Sequence, residues 1–409
     1  MFSSSASTPL SRRRLLLPIA VVAMLFAGVI YAWSILKIPF AEEFGWDASS
    51  LALNFTLTMC MFCLGGLLGS RLARRFGTTA TLCCAGVLAG AGLILTGCLS
   101  GTSVIHLYLT YSLLAGLGIG ISYVVIISTI NAWFPDKKGF CSGCLMMGFG
   151  ASTLLLGNLA STLFESAMGW RKTYLILGLA LGTVLILAGL LIKLPHADMI
   201  FPSPKAKRNN SKETFTPRDY TTGEMLHRFS FWRVFLYLIC ITAVGNSVLS
   251  FARDLALSVG AEATLATTLV GVLAICNGLG RIITGAVFDA AGRRFTMIAT
   301  NILTIAAAAV TLLAVGIHSL PLCVIGLCLI GLSYGSSPTV ASAITSAFYG
   351  SKNFASNFSI TNFNLMGASF VATACSSLVA SSGGYLAPFI LLLTLSLVAM
   401  GLNLSIRRP

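Results

Sequence analysis

Arg281, in the stretch "CNGLGRIITGAVFDAAGRR" (276–294), is a charged residue inside a long apolar run, eight residues before Asp289. At ~1.5 Å per helical residue that depth is roughly 12 Å into a bilayer core about 30 Å thick. A charge near the bilayer centre costs about 2.5–3.5 kcal/mol on insertion scales. A guanidinium also presents a planar fork of donors that matches a carboxylate. No Asp or Glu stands at comparable depth in any apolar run: Asp254 falls at one end of its run and Asp289 at the end of its own. Facing water, such a cation is an electrostatic well for an anion. Asn277 lies one turn earlier on the same helical face and can orient Arg281 or touch the same anion. The structural alternative is an arginine that bonds carbonyls where a helix bends. Tyr31, Tyr123 and Tyr334 also lie in apolar runs. They can line an aromatic box or serve as packing and interfacial residues. Asn54 and Asn246 read as interhelical hydrogen-bond partners.

These residues need membrane helices to hold them. The 409 residues are 56% hydrophobic and 9% charged, against about 25% charged in soluble domains. Mean hydropathy is +0.90. Apolar runs of spanning length lie near 15–37, 50–70, 78–100, 104–128, 140–163, 172–194, 231–252, 264–288, 295–317, 320–346, 355–379 and 384–405. The expectation is an all-α polytopic membrane protein with 12 transmembrane helices. Its parts are an N-terminal tail (1–14), a six-helix bundle (15–194), a polar central loop (195–230), a second six-helix bundle (231–405) and a C-terminal tail (406–409). The run from Leu15 is too long for a signal-peptide core and has no clear small-residue cleavage site.

Charge sets the orientation. With both termini cytoplasmic, all but five of the 26 Lys and Arg face the cytoplasm. Those five are Lys37, Arg171, Lys172 and Arg253 on the opposite side, and Arg281 within the membrane. The net charge of +14 is therefore mostly topological. It is spread over short loops, which argues against a nucleic-acid partner. Central-loop basic residues can touch anionic lipid heads. The twelve cysteines include two CxxC pairs, Cys60/Cys63 and Cys141/Cys144, with no nearby His. They read as small packing residues rather than a metal or redox site, and no cofactor is expected.

The chain repeats itself. "RLARRFG" (71–77) and "VFDAAGRRF" (287–295) align at an offset of 215 through Gly77 and Gly292. "FPDKKGFCSG" (134–143) and "FYGSKNFASN" (348–357) align at 214 through Phe134/Phe348, Lys138/Lys352, Phe140/Phe354 and Ser142/Ser356. Two stretches with nearly one offset imply a duplicated six-span unit, an arrangement typical of secondary transporters.

At this point the chain resembles the major facilitator superfamily. Gly285, Asp289, Gly292, Arg293 and Arg294 match its G-x-x-x-D-x-x-G-R-R loop. In that family such an acid and its basic neighbours latch one conformation. The first half departs from the pattern, since Arg74 stands where Asp is expected, so any latch there is weaker or differently built. "YAWSILKIPFAEEFGW" (31–46), "WFPDKKGFCSG" (133–143) and "NGLGR" (277–281) resemble the oxalate–formate antiporter family, and more distantly the monocarboxylate transporters. The resemblance covers nearly the whole chain. It implies two pseudo-symmetric six-helix bundles, a cavity lined by spans 1, 4, 7 and 10, and a span-8 arginine, here Arg281, that binds a carboxylate. The exchanger's span-11 lysine is missing, and "NFSITNFNLMGASF" (357–370) offers Asn362 and Asn364 instead. That favours an anion with one charge over a dicarboxylate.

The reading is a monomeric transporter in the cell (inner or plasma) membrane that moves a small organic anion, mono- or dicarboxylate, by alternating access and exchange. His106 and His318 lie near span ends, and His196 and His227 in the central loop, so no proton relay is evident. A proton-coupled monocarboxylate permease is the alternative within transport, and a transporter-like membrane sensor the alternative from another class. No constellation for an enzyme is found. The G-x-G run in "AGLGIGISY" (115–123) reads as helix packing rather than a nucleotide loop. Span 5, "GFGASTLLLGN", lacks the Gly-Pro pair of drug–proton antiporters.

Overall fold

The computed structural model describes residues 9–101, 103–195, 199 and 218–408. The expected tail residues 1–8 and most of the central loop, with Lys205, Lys207, Arg208 and Lys212, lie outside the described residues. The chain divides into two compact units, Met1–Phe215 and Thr216–Pro409.

Every element is helical among the described residues. The first unit holds α1 (Pro9–Ala27), a 3-10 turn (Gly28–Ala32), α2 (Trp33–Leu36), α3 (Ile38–Phe44) and α4 (Ala48–Gly97). It continues with α5 (Val104–Leu107), α6 (Leu117–Trp133), α7 (Lys138–Ser152), α8 (Asn158–Glu165) and α9 (Gly169–Leu191). π-helical turns at Tyr108–Gly116 and Thr153–Gly157 join α5 to α6 and α7 to α8. The second unit holds α10 (Thr222–Leu226), α11 (Phe229–Ser258), α12 (Ala263–Ala291), α13 (Arg293–Gly316) and α14 (Leu320–Tyr349). It ends with α15 (Phe354–Thr361), α16 (Asn364–Ser382) and α17 (Leu386–Ser405). Ten helical stretches among the described residues are long and apolar enough to cross a membrane. One, Leu53–Gly97, carries two of the expected spans, bent at Gly77. The expected span 11 is interrupted only by a tight right-handed turn at Asn362 and Phe363, between α15 and α16, where the bonds shorten to the i, i+3 pattern.

The duplication is visible in the backbone. Gly77 (φ 81°, ψ 167°) and Gly292 (φ 78°, ψ 175°) turn the chain identically, in a region that a side chain would strain. The repeat also fixes how helices cross. A Cβ on Gly120 of α6 would meet the Phe62 carbonyl oxygen of α4 at 2.0 Å. A Cβ on Gly335 of α14 would meet the Asn277 carbonyl oxygen of α12 at the same 2.0 Å. The reverse contacts match too, Gly65 on Leu117 and Gly280 on Leu332. All four residue pairs sit at the offset of 215. Small residues let the backbones approach where no hydrophobic effect drives helices together. The glycines of "AGLGIGISY" thus serve packing.

The first membrane-spanning stretch begins at Leu15 as expected, and α1 is already helical from Pro9 ahead of it. In this lead-in turn Arg13 is buried, pairs with Asp136 of the α6–α7 turn and lies 4.2 Å over the Phe134 ring. Replacing Asp136 with Asn leaves Arg13 buried without its counter-charge. A loss of about 3 kcal/mol is expected, read as a lowered melting temperature of the purified protein.

At the other end of this unit Glu43 receives two bonds from Arg171, at 2.6 and 3.0 Å, and one from Trp170 Nε1 at 2.6 Å. Arg171 and Trp170 in turn hold the Glu43 carboxyl below the usual range. A depressed carboxyl stabilises the fold above its unfolded value of about 4.5, and the contribution fades as pH falls through the lower folded value. Glu43→Gln is therefore expected to melt below wild type at neutral pH. The gap closes in a paired melting series as pH falls below the ordinary carboxyl range. A gap that persists unchanged in acid refutes the assignment.

Candidate functional site

The α12–α14 crossing sets Arg281. Gly335 lies against the Asn277 carbonyl and close to the Arg281 amide, so the main chains of α12 and α14 nearly touch. Arg281 is 4% exposed although it sits mid-helix. Its Nε donates to Asn277 Oδ1 at 3.2 Å, the i, i+4 pairing that the sequence suggests. Thr339 Oγ1 donates to the Arg281 carbonyl at 3.3 Å. Tyr334 is buried against Gly245 of α11 and lies within electrostatic reach of the guanidinium.

A hydroxyl-rich run in α14, "YGSSPT" (334–339), supports this region. Pro338 has no N–H to return to the Tyr334 carbonyl, and neighbouring hydroxyls suit such a spot in a membrane helix. Thr284 Oγ1 donates to Ser336 Oγ at 2.7 Å, joining α12 to α14. Thr242 of α11 pairs with Ser337, and its Oγ1 donates to Asn364 Oδ1 at 3.2 Å. Asn364 Nδ2 donates to the Thr361 carbonyl at 2.7 Å. Asn364 therefore uses both ends of its amide to brace the break between α15 and α16. Asn362 is buried in that break. The sequence reading did not include Thr242, Thr284, Ser336, Ser337 or Thr339. A cluster of hydroxyls around a proline in an otherwise apolar span was the available signal.

In the first unit Tyr31 and Tyr123 are brought together by Phe149, each edge-on at 5.1 Å. Phe62 completes the group, 5.0 Å from Tyr123 and 5.9 Å from Phe149. At the repeat offset of 215, Tyr31 and Phe62 match Asn246 and Asn277, and Gly66 matches Arg281. One copy of the unit is aromatic where the other is amide-bearing and cationic. Asn54 is an interhelical partner, accepting from Ser112 Oγ at 2.8 Å. Of the loop residues, Gly285 is buried near the end of α12, Asp289 is exposed, and Gly292 makes the turn. Arg293 lies 5.0 Å over the Phe348 ring, while Arg294 and Arg74 are exposed.

A duplicated helical unit, an interrupted span and a buried guanidinium braced by polar side chains define a polytopic membrane transporter class. Residues 16–255 match the Major Facilitator Superfamily, and the chain belongs to that family. It is 25% identical to the uncharacterised MFS-type transporter YhjX of Escherichia coli (strain K12), over 85% of this chain and 84% of that one. It is 29% identical to the oxalate:formate antiporter of Oxalobacter formigenes, over 70% and 66%. It is 26% identical to monocarboxylate transporter 12 of Rattus norvegicus, over 88% and 77%. The fold is that of the E. coli fucose:proton symporter FucP (TM-score 0.70, 11% identity, 97% of this chain and 100% of that one). It is equally that of the proton:xylose symporter XylE (TM-score 0.71, 15% identity, 97% and 96%).

Proposed function

We propose that this transporter carries a small organic anion, a carboxylate, by alternating access, and that it works by exchange. The observation that carries the reading is Arg281, a guanidinium 4% exposed in the middle of α12 and oriented by Asn277. A membrane protein that retains such a group at this depth has a use for its charge. A carboxylate accepts two parallel bonds from the guanidinium, and Tyr334 and Asn277 supply donors beside it. With Asn362 and Asn364 in span 11 and no second cation there, a monocarboxylate fits better than a dicarboxylate. Asn364 acts by holding the span-11 break, and Asn362 sits within it. Tyr31 and Tyr123, joined through Phe149, are the first unit's own candidates for substrate contact.

The remaining assignments belong to the same proposal. Residues 15–194 and 231–405 form the two moving bundles, joined by 195–230. Both termini are cytoplasmic, the membrane is the cell membrane and the protein works as a monomer. Asp289 with Gly285, Gly292, Arg293 and Arg294 latches one state, and Arg74 leaves the first half without the equivalent acid. A proton-coupled monocarboxylate permease is the second reading, its cargo class matching the monocarboxylate transporter to which the chain is similar over 88% of its length.

The test is uptake of labelled mono- and dicarboxylates into proteoliposomes, with and without anion preloaded inside. Uptake stimulated by internal anion and indifferent to a proton gradient supports exchange. Uptake driven by an inward proton gradient assigns the permease. Saturable binding with no flux in either regime assigns a sensor.

A further inference from the structure

The second unit carries a groove that the transport reading does not use. It has a volume of about 360 Å³ and runs between α11 and α16, lined by Leu226, Trp232, Ile239, Phe363, Met366 and Gly367 among others. Its walls are almost wholly apolar, and the rim residues Trp232 and Phe370 are 46% and 66% exposed. Phe229 and Trp232 at the start of α11 are aromatic residues of the kind that settle at the membrane–water boundary. Trp232 is fixed there by its Nε1, which donates to the Leu226 carbonyl at 3.0 Å. The groove therefore extends inwards from headgroup level.

Its polar end is positive. His227 and Arg228, next along the chain from Leu226, are exposed, and His227 is oriented by an Nδ1 contact to the Gly223 carbonyl at 2.8 Å. Arg228 is the N-cap residue of α11, a 30-residue helix whose first turn has neither a side-chain cap nor an acidic residue. Unsatisfied N–H groups and the helix dipole there favour an anion. Among the described residues Glu224 stands beside this end, and it is occupied by Thr221 at 2.8 and 2.9 Å and by Arg218 at 3.0 Å. Arg233, one turn further on, is committed to the Ser405 carbonyl at 2.8 Å.

We infer that this groove is a binding site for an anionic phospholipid, with an acyl chain between α11 and α16 and the phosphate held by Arg228, His227 and the α11 N-terminus. Apolar walls alone accept any lipid, while the positive end selects the charged one. Because Phe363 and Met366 lie at the break before and within α16, the acyl chain also packs against the interrupted span.

Trp232 is a built-in reporter, since bromine on an acyl chain quenches tryptophan on contact. The full-length protein is reconstituted into vesicles with rising fractions of dibrominated phosphatidylglycerol or dibrominated phosphatidylcholine. The Trp232→Phe variant supplies the signal to subtract. The expected result is half-quenching at about fivefold lower fraction of the anionic lipid, the preference one arginine confers at an anionic bilayer surface. Raising the salt concentration shrinks that preference in the unmodified protein, so the electrostatic test does not depend on a variant that folds. Arg228→Gln removes the preference and keeps the quenching. Gly367→Leu, which fills the groove, weakens quenching by both lipids. Equal quenching by both lipids in wild type, a preference insensitive to salt, or no Trp232 quenching by either lipid overturns the assignment. The readout is independent of transport, so its failure leaves the anion-carrier reading standing, and the converse also holds.

Discussion

Replacing Arg281 with glutamine is expected to abolish anion uptake while leaving a folded protein. The change keeps a polar, though shorter, side chain and deletes the charge. Losing one partner of a buried, charged hydrogen-bonded pair costs about 2–5 kcal/mol, or roughly 30-fold to several thousand-fold in affinity. The substrate's carboxylate is that partner in the proposed complex. Arg281→Lys restores the charge without the planar fork, so it recovers part of the binding and little of the discrimination among carboxylates. The measurement is proteoliposome uptake, paired with the rise in melting temperature that a bound anion produces. Wild type shows both, Arg281→Gln neither. A folded glutamine variant that transports as wild type makes Arg281 a structural residue, because the guanidinium then serves only its own helix and its neighbours.

Replacing Gly335 with alanine is expected to be nearly as damaging, by another route. The added methyl would lie 2.0 Å from the Asn277 carbonyl oxygen and 3.0 Å from the Arg281 amide nitrogen. These are backbone atoms of a long helix and cannot rotate away, so α12 and α14 must separate. Overpacking of this kind costs about 1–3 kcal/mol when some relaxation is available. The displacement falls on the residue that orients Arg281, so transport drops more than the stability change alone explains. Gly271, in the same helix, is the control. Its Cβ would meet nothing within 4 Å, and alanine gains about 0.5–1 kcal/mol in helix preference. A melting series therefore separates the two: Gly335→Ala falls below wild type, and Gly271→Ala equals or exceeds it. Equal melting of both variants refutes the close crossing.

The sequence made the helices legible because membrane helices announce themselves by apolar length alone. The Asn277–Arg281 contact was legible for a similar reason, since i, i+4 spacing on one helix fixes proximity without tertiary knowledge. The repeat was visible at Gly77/Gly292 and at Phe134/Phe348, where loop residues retain a likeness. It was not visible at Phe62/Asn277 or Gly66/Arg281, where the side chains have diverged and only the backbone crossing is shared. Phe149 was equally hidden. It joins Tyr31 to Tyr123 across three helices, and nothing in "GFGASTLLLGN" says which way its ring turns. The bracing of Asn364 by Thr242 and Ser337 depends on the rotation of α11, α14 and α16 about their axes. Hydropathy does not set that rotation in a helix apolar on most faces. Arg13 shows the same limit at a helix end: a basic residue ahead of an apolar run reads as tail until its distant acid, Asp136, is placed.

The two matched crossings carry a consequence for how cargo preference changes over generations. At Phe62 and at Asn277 the facing glycine touches the main-chain carbonyl, the one part of the residue that substitution does not alter. The frame asks nothing of the side chain. One copy carries phenylalanine there and the other asparagine, with glycine and arginine one turn further on. Residue 277 is thus a position where the architecture tolerates novelty. A descendant can exchange one kind of cargo for another by rewriting a few side chains while the fold that presents them stays as it was.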